Sequence, residues 1–207
     1  MATKKNIIIG AAQVYLGPSW DTTNGANPAP AAVDTGGGVS YVTTMNGSGT
    51  WTNVGYTQDG IEVATDPTWD DVEVDQLLDA AKIFKSGMSL TVATTFAEST
   101  LENLLIAWGQ ATSTLNSFAS YRQLDIDGGS LGSAPLERGL IAVGNAPEKA
   151  NTNNYGERTY HAYRVLSVES VSHTLARAEA TVIPVTFRAL PGDNGKYGYV
   201  RDRMSLA

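Results

Sequence analysis

Residues 87–109 read GMSLTVATTFAESTLENLLIAWG, and the period of their apolar positions changes halfway along. In the first ten, Met88, Leu90, Val92 and Phe96 fall on one side of an extended chain, and Ser89, Thr91, Ala93 and Thr95 on the other. Strict alternation of that kind marks a strand with one buried face. From Leu101 the spacing lengthens, with Leu101, Leu104, Leu105 and Trp108 recurring at i, i+3, i+4 and i+7. Ser99 and Glu102 stand at capping-box spacing and Gly109 stands where a helix stops, so one amphipathic helix is expected over about 98–109. A helix that short, with a single apolar stripe, buries it against a sheet.

Alternation recurs on both sides of this segment. Further strands are expected at about 7–16, 59–66, 71–75, 119–126, 138–145, 158–171 and 178–190. Pro184 places the last of them at an edge or a bulge, because proline has no N–H to give to a ladder. The predicted class is mainly β: an antiparallel β-sandwich or barrel of about seven to nine strands with one flanking α-helix. The 207 residues fit a single domain, 1–207, long enough to bury a core without staples. There is no Cys, which excludes a disulfide framework and a Cys-rich zinc module and suits a reducing compartment. No window approaches about 18 consecutive apolar residues, and the N-terminal MATKKNIIIGAAQVYLG lacks a leader's unbroken apolar run, so no membrane partner is expected.

Two stretches do not fit a plain sandwich. Residues 17–50 hold seven Gly, three Pro and two charged residues, too little apolar material for a core, and are expected as a long loop or a hairpin arm with VSYVTT, Val39 to Thr44, as a short strand. The second stretch, TQDGIEVATDPTWDDVEVDQLLD, Thr57 to Asp79, carries eight carboxylates and no Lys or Arg. Charge is uneven across the whole chain: residues 1–81 sum to -8 and residues 82–207 to +1. An acidic half does not bind nucleic acid, since every phosphate contact needs a cation. If 59–66 and 71–75 pair as a hairpin about Pro67 and Thr68, Glu62 and Asp66 share a face with Asp71, Glu73 and Asp75. Like charges opposite one another destabilise a sheet, so that arrangement calls for cationic neighbours or for a surface whose task is to be negative. A solvated sheet face and a metal or acid–base cluster are the alternatives.

Residues that carry chemistry are few. His161 and His173 are the only histidines, and no HExxH or Ser-centred elbow accompanies them, so both are expected as packed or solvated strand-edge residues. Gly36 to Gly38 are not followed by Lys-Ser or Lys-Thr and do not make a phosphate loop. DIDGGS, Asp125 to Ser130, begins like a calcium loop but lacks the closing acid at the right distance, and is expected as a strand-ending turn. No catalytic, cofactor or metal residues are assigned, and an enzyme is not expected.

In order along the chain, WTNVGYTQDGIEV, VEVDQ and KIFKSGMSLTVATTFAESTLENLLIAWG resemble the major tail tube proteins of long-tailed bacteriophages with non-contractile tails. The likeness covers about Trp51 to Gly109, and AESTLENL is its most specific part. It implies a structural virion protein, six copies closing into a ring, and rings stacking into a hollow tail tube assembled in the bacterial cytoplasm. Genomic DNA would pass through the tube without specific binding. The implied partners are further copies of the chain, a tape-measure protein, a tail terminator, tail-tip proteins and assembly chaperones, with no cofactor. Under this reading residues 17–50 reach the adjacent ring, with Trp20, Val39 and Tyr41 as candidate contacts, and Glu62, Asp66, Asp71, Glu73 and Asp75 line the lumen or an inter-ring face. The alternative is a β-sandwich binding module, a virion decoration or carbohydrate-binding domain, with Trp20, Tyr41, Trp51 or Trp69 as stacking platforms. A metal-dependent hydrolase built on the acidic stretch stands third.

Overall fold

The computed structural model describes residues 12–18, 32–34, 39–41, 51–77, 79–132, 134–146, 157–175, 177, 179–192 and 194–203. Trp20, most of 17–50 and residues 7–11 of the first expected strand lie outside them. Among the described residues the chain is mainly β with one α-helix. In order, the strands are β1 (Gln13–Pro18), β2 (Ala32–Asp34), β3 (Val39–Tyr41), β4 (Thr52–Asn53), β5 (Thr57–Val72) and β6 (Lys82–Phe96). Helix α1 (Leu101–Ala107) follows, then β7 (Leu115–Ser117), β8 (Arg122–Leu124), β9 (Arg138–Asn145), β10 (Glu157–Ser167), β11 (Ile183–Leu190) and β12 (Gly198–Arg203).

Eight strands form one antiparallel sheet in the order β4-β1-β9-β10-β11-β6-β5, with β12 attached to β10. The sheet forks at β10. One flank of β10 pairs with β9, while the other takes β12 along 157–162 and β11 along 164–167. Pro184 lies in the part of β11 that pairs with β6 after β10 has ended, so the missing N–H breaks no ladder on that flank. Two small hairpins, β2–β3 and β7–β8, stand apart from the main sheet.

Alternation decides which faces are buried. In β11, Ile183, Val185, Phe187 and Ala189 point into the core, and in β6 Val92, Thr94 and Phe96 do so. They meet Val14 and Leu16 of β1, Leu140 and Ala142 of β9, Ala162 and Val165 of β10, and Leu105, Ile106 and Ala107 of α1. Burial of Phe96 or Phe187, each nearly inaccessible, is worth about 2–3 kcal/mol. The far face of β1, β9 and β10 carries a second cluster of Tyr15, Trp51, Ile141 and Val143, so this part of the sheet is buried on both sides. Gly17 is required there, because a Cβ at that position would sit 2.5 Å from Trp51 Cδ2.

Three expectations are corrected. The helix cap is Thr100, whose hydroxyl accepts from the Asn103 N–H, and not Ser99. Glu102 does not close a capping box; its carboxylate pairs with Arg122 of β8 at 2.7 Å. The deepest helix positions are Asn103, Leu105, Ile106 and Ala107, with Leu101, Leu104 and Trp108 only half-buried, because the helix is one turn shorter than expected and enters the sheet with a different rotation. The stop is as expected: Gly109 takes φ 65 and its N–H bonds Ile106 O, while Gln110 N–H bonds Leu105 O.

The third correction concerns the acidic stretch. Residues 59–66 and 71–75 do not form a hairpin about Pro67 and Thr68; 59–72 run on in one strand, β5, paired with β6, and 73–75 lie in the turn beyond it. Two forces override the turn reading of Asp-Pro-Thr. Among the described residues β5 has β6 as its only neighbour, and an edge strand tolerates proline. Pairing with β6 also sets Glu62 opposite Ala93, Asp66 opposite Ser89, Asp70 opposite Phe84 and Asp71 opposite Ile83, which removes the like-charge cross-strand contacts that a 59–66/71–75 hairpin imposes.

Candidate interaction surface

β11 pairs with β6 only as far as Leu90, and beyond that residue β5 and β6 continue alone. Val72 lies seven residues beyond Thr65, so the free hairpin projects about 24 Å before its turn. Every residue on it from Asp66 to Val72 and from Lys82 to Ser86 is exposed. A solvated arm has no use for large apolar side chains, yet Trp69, Leu77 and Ile83 are 58%, 59% and 61% exposed, and Val72, Val74 and Phe84 join them.

Register sorts the acidic residues onto different surfaces. Glu62 and Asp66 lie on the outward face of the sheet, in cross-strand rows with Ala93 and Ser89. The same face carries Ala64, Thr91, Thr95 and, from β11, Pro184, Thr186 and Arg188, a surface of mostly short side chains. Asp71 lies on the opposite face with Trp69, Lys85 and Ile83, while Glu73 and Asp75 sit in the turn beyond the strand. The five candidate acids therefore do not form one charged wall. Among the described residues no three His, Asp or Glu side chains converge to hold a metal.

The residues that carry the family resemblance meet at one corner. Gly55 takes φ 82, where a Cβ would lie 2.2 Å from the Glu98 carboxylate. That carboxylate accepts from the Tyr56 N–H at 3.0 Å. Asn103, 2% exposed, donates from Nδ2 to Val54 O and to Glu98 O, both at 2.8 Å. Sequence reasoning weighed the leucines of α1 and missed Asn103, whose signal was a polar residue on the apolar side of a helix. Asp59 and Gly60 of the same motif, both at positive φ, form a bulge inside β5, held by the Thr94 hydroxyl donating to Gly60 O at 2.9 Å.

A groove of about 540 Å³ opens in the fork of the sheet. Val63, Thr65, Met88 and Leu90 of the β5–β6 hairpin form one wall, and Tyr199 and Val200 of β12 are among the residues opposite, with Leu140, Ala142 and Tyr160 also lining it. Tyr197 ties the walls together, its hydroxyl donating to Met88 O at 2.7 Å. Among the described residues no carboxylate lines the groove, whereas Lys85 and Lys196 do.

His161, 3% exposed, packs edge-on against Trp51, Tyr163 and Tyr199, and its Nδ1 has no hydrogen-bond partner. Burial, aided by the positive charge of Arg201, pushes its pKa down to about 4, so the ring is neutral at pH 7. His173 lies against the Trp108 ring. Asp125 accepts from Asn116 Nδ2 and Gln123 Nε2, and Asp127 accepts from the Gly129 N–H, which makes DIDGGS a side-chain-capped turn. Of the aromatic platforms in the binding-module reading, Trp51 is buried at 1% exposure and is corrected; Trp69 is exposed. Trp20 and the side chains of Val39 and Tyr41 lie outside the described residues. No protein-family model matches the chain, and no curated protein matches it.

Proposed function

We propose that the chain is a structural subunit that assembles with copies of itself into a hollow tube of the phage tail tube kind. The observation that carries this reading is the β5–β6 hairpin. It ends the sheet in a 16-residue edge strand and extends beyond the body with apolar side chains on both faces. A monomer gains nothing from such an element, and a partner surface gains both main-chain pairing and apolar area. Support also comes from the resemblance, whose residues build the corner that launches this hairpin and α1. Short side chains on the outward face of β5, β6 and β11 suit a wall that passes DNA or a close subunit contact, and Glu62 and Asp66 make that wall acidic. Screening confines their effect to about 8 Å in physiological salt, so they prevent adhesion and do not drive transport.

The test is negative-stain electron microscopy of the purified chain across a concentration series, with light scattering alongside. Rings or tubes with a central channel support the proposal. A particle that remains monomeric at high concentration and in the presence of preformed tail tips sinks it, and saccharide-dependent stabilisation of that monomer would favour the binding module.

A further inference from the structure

Two surfaces are left open among the described residues, and they match each other. The turn of the β5–β6 hairpin presents Val74 and Leu77 among Glu73, Asp75 and Asp79, with no base between Val72 and Ala81. The groove in the sheet fork is apolar, shows no carboxylate among the described residues and carries Lys85 and Lys196. From these observations we infer that the hairpin turn of one copy seats in the sheet-fork groove of a second copy, Leu77 and Val74 entering the cavity and the turn's carboxylates meeting Lys196 at its rim. The contact rests on the assembly reading above and names the partner surface within it.

The hairpin does not reach its own groove. Met88 and Leu90 at its base line that groove and Lys85 is the lining residue nearest the tip; the turn begins about 20 Å beyond Met88 and about 10 Å beyond Lys85, at the end of a ladder whose continuous pairing keeps it from folding back. The contact is therefore head to tail, with each copy giving a turn and receiving one, and such a contact closes as a ring or propagates as a filament. It also accounts for the charge asymmetry of the chain: the acidic element is the donor, and the acceptor site is basic. Complementary charge of this kind sets register and rate of encounter, while the buried aliphatic side chains hold the contact.

The absence of native Cys makes cross-linking a direct test. Leu77→Cys and Val200→Cys chains, one of them mass-tagged, are mixed at assembling concentration and oxidised. A 77–200 heterodimer is expected to dominate over both homodimers, and a Leu77→Cys/Val200→Cys double variant is expected to give a ladder. Lys196→Glu should raise the concentration needed for assembly about tenfold, and Asp75→Lys on the same chain should restore it in part. Tubes that form without any 77–200 cross-link overturn this contact and leave the assembly proposal standing. A 77–200 cross-link confined to closed dimers keeps the contact and removes the tube. Cross-links only between Cys at 77, or no cross-link and no assembly, overturn the contact. Protection of the Val200→Cys thiol by dodecanoate, without protection on assembly, assigns the groove to a small amphiphile instead.

Discussion

Replacing Asn103 with Ala should destabilise the chain far more than the loss of one surface amide. Asn103 Nδ2 supplies both Val54 O and Glu98 O. Val54 is 1% exposed, so its carbonyl is left without a donor, at about 1–3 kcal/mol. Glu98 is half-buried and its carbonyl regains water, which limits that loss to about 0.5–1.5 kcal/mol. Together the variant should lose about 2–4 kcal/mol, equivalent to a drop in Tm of about 5–15 °C for a domain of this size. The assay is urea denaturation at a concentration below assembly, because association adds stability by mass action. The midpoint should fall with the slope unchanged. Asn116→Ala is the control, since its hydrogen bond to Asp125 is exposed and should matter by less than about 0.5 kcal/mol. If Asn103→Ala falls within the error of that control, the buried amide does not tie the Val54 turn to the helix, and the account of the corner is wrong.

Gly55→Ala forces a side chain into φ 82 and against the Glu98 carboxylate, and should cost about 2–4 kcal/mol in the same assay. Gly17→Ala pushes a methyl into the Trp51 ring and should cost about 1–3 kcal/mol, with a change in near-ultraviolet dichroism from the indole. The folded-state pKa of His161, about 4, lies below the ordinary 6.5. The unfolded chain therefore takes up the proton first, and stability is complete above pH 6.5 and falls by about 3 kcal/mol as pH drops to 4. His161→Gln should flatten that part of the pH–stability curve. Trp69→Ala with Ile83→Ser, on the exposed hairpin, should leave monomer stability within about 0.5 kcal/mol yet abolish ring or tube formation seen by microscopy.

Much of the sheet was legible because its signal is local. β9 and the inward faces of β6 and β11 follow from period-two alternation alone, and Gly109 ends α1 as its position implies. The acidic stretch was misread because two signals competed. Asp66-Pro67-Thr68 has the chemistry of a turn, but pairing with β6 over its whole length outweighs it, and that pairing is a long-range fact no local window contains. The helix cap moved by one residue because Ser99 and Thr100 are chemically interchangeable as caps, and tertiary placement chose between them. β12 was not expected from the sequence: alternation in YVRDR is short, and its pairing partner lies about forty residues earlier. The groove had no signature of its own, since it is a product of the fork at β10, where two strands share one flank.

The edge strand itself narrows how copies can meet. A 16-residue strand with one edge open among the described residues is a template for indiscriminate pairing unless it is interrupted. β5 is interrupted twice, by the bulge at Asp59 and Gly60 and by Pro67, which leaves Ile61–Asp66 as the run between them, about 20 Å long. Pairing along that run has little freedom to slip, because the bulge and the proline bound it on either side. Pairing of β5 with β5 of another copy would bring Glu62 and Asp66 near their own counterparts, so the symmetric dimer is disfavoured by like charge. What remains favourable is an asymmetric contact, with β5 and its hairpin meeting a different surface on the next copy. If copies assemble as proposed, an exposed element that disfavours pairing with itself directs growth head to tail, the geometry from which rings and tubes are built.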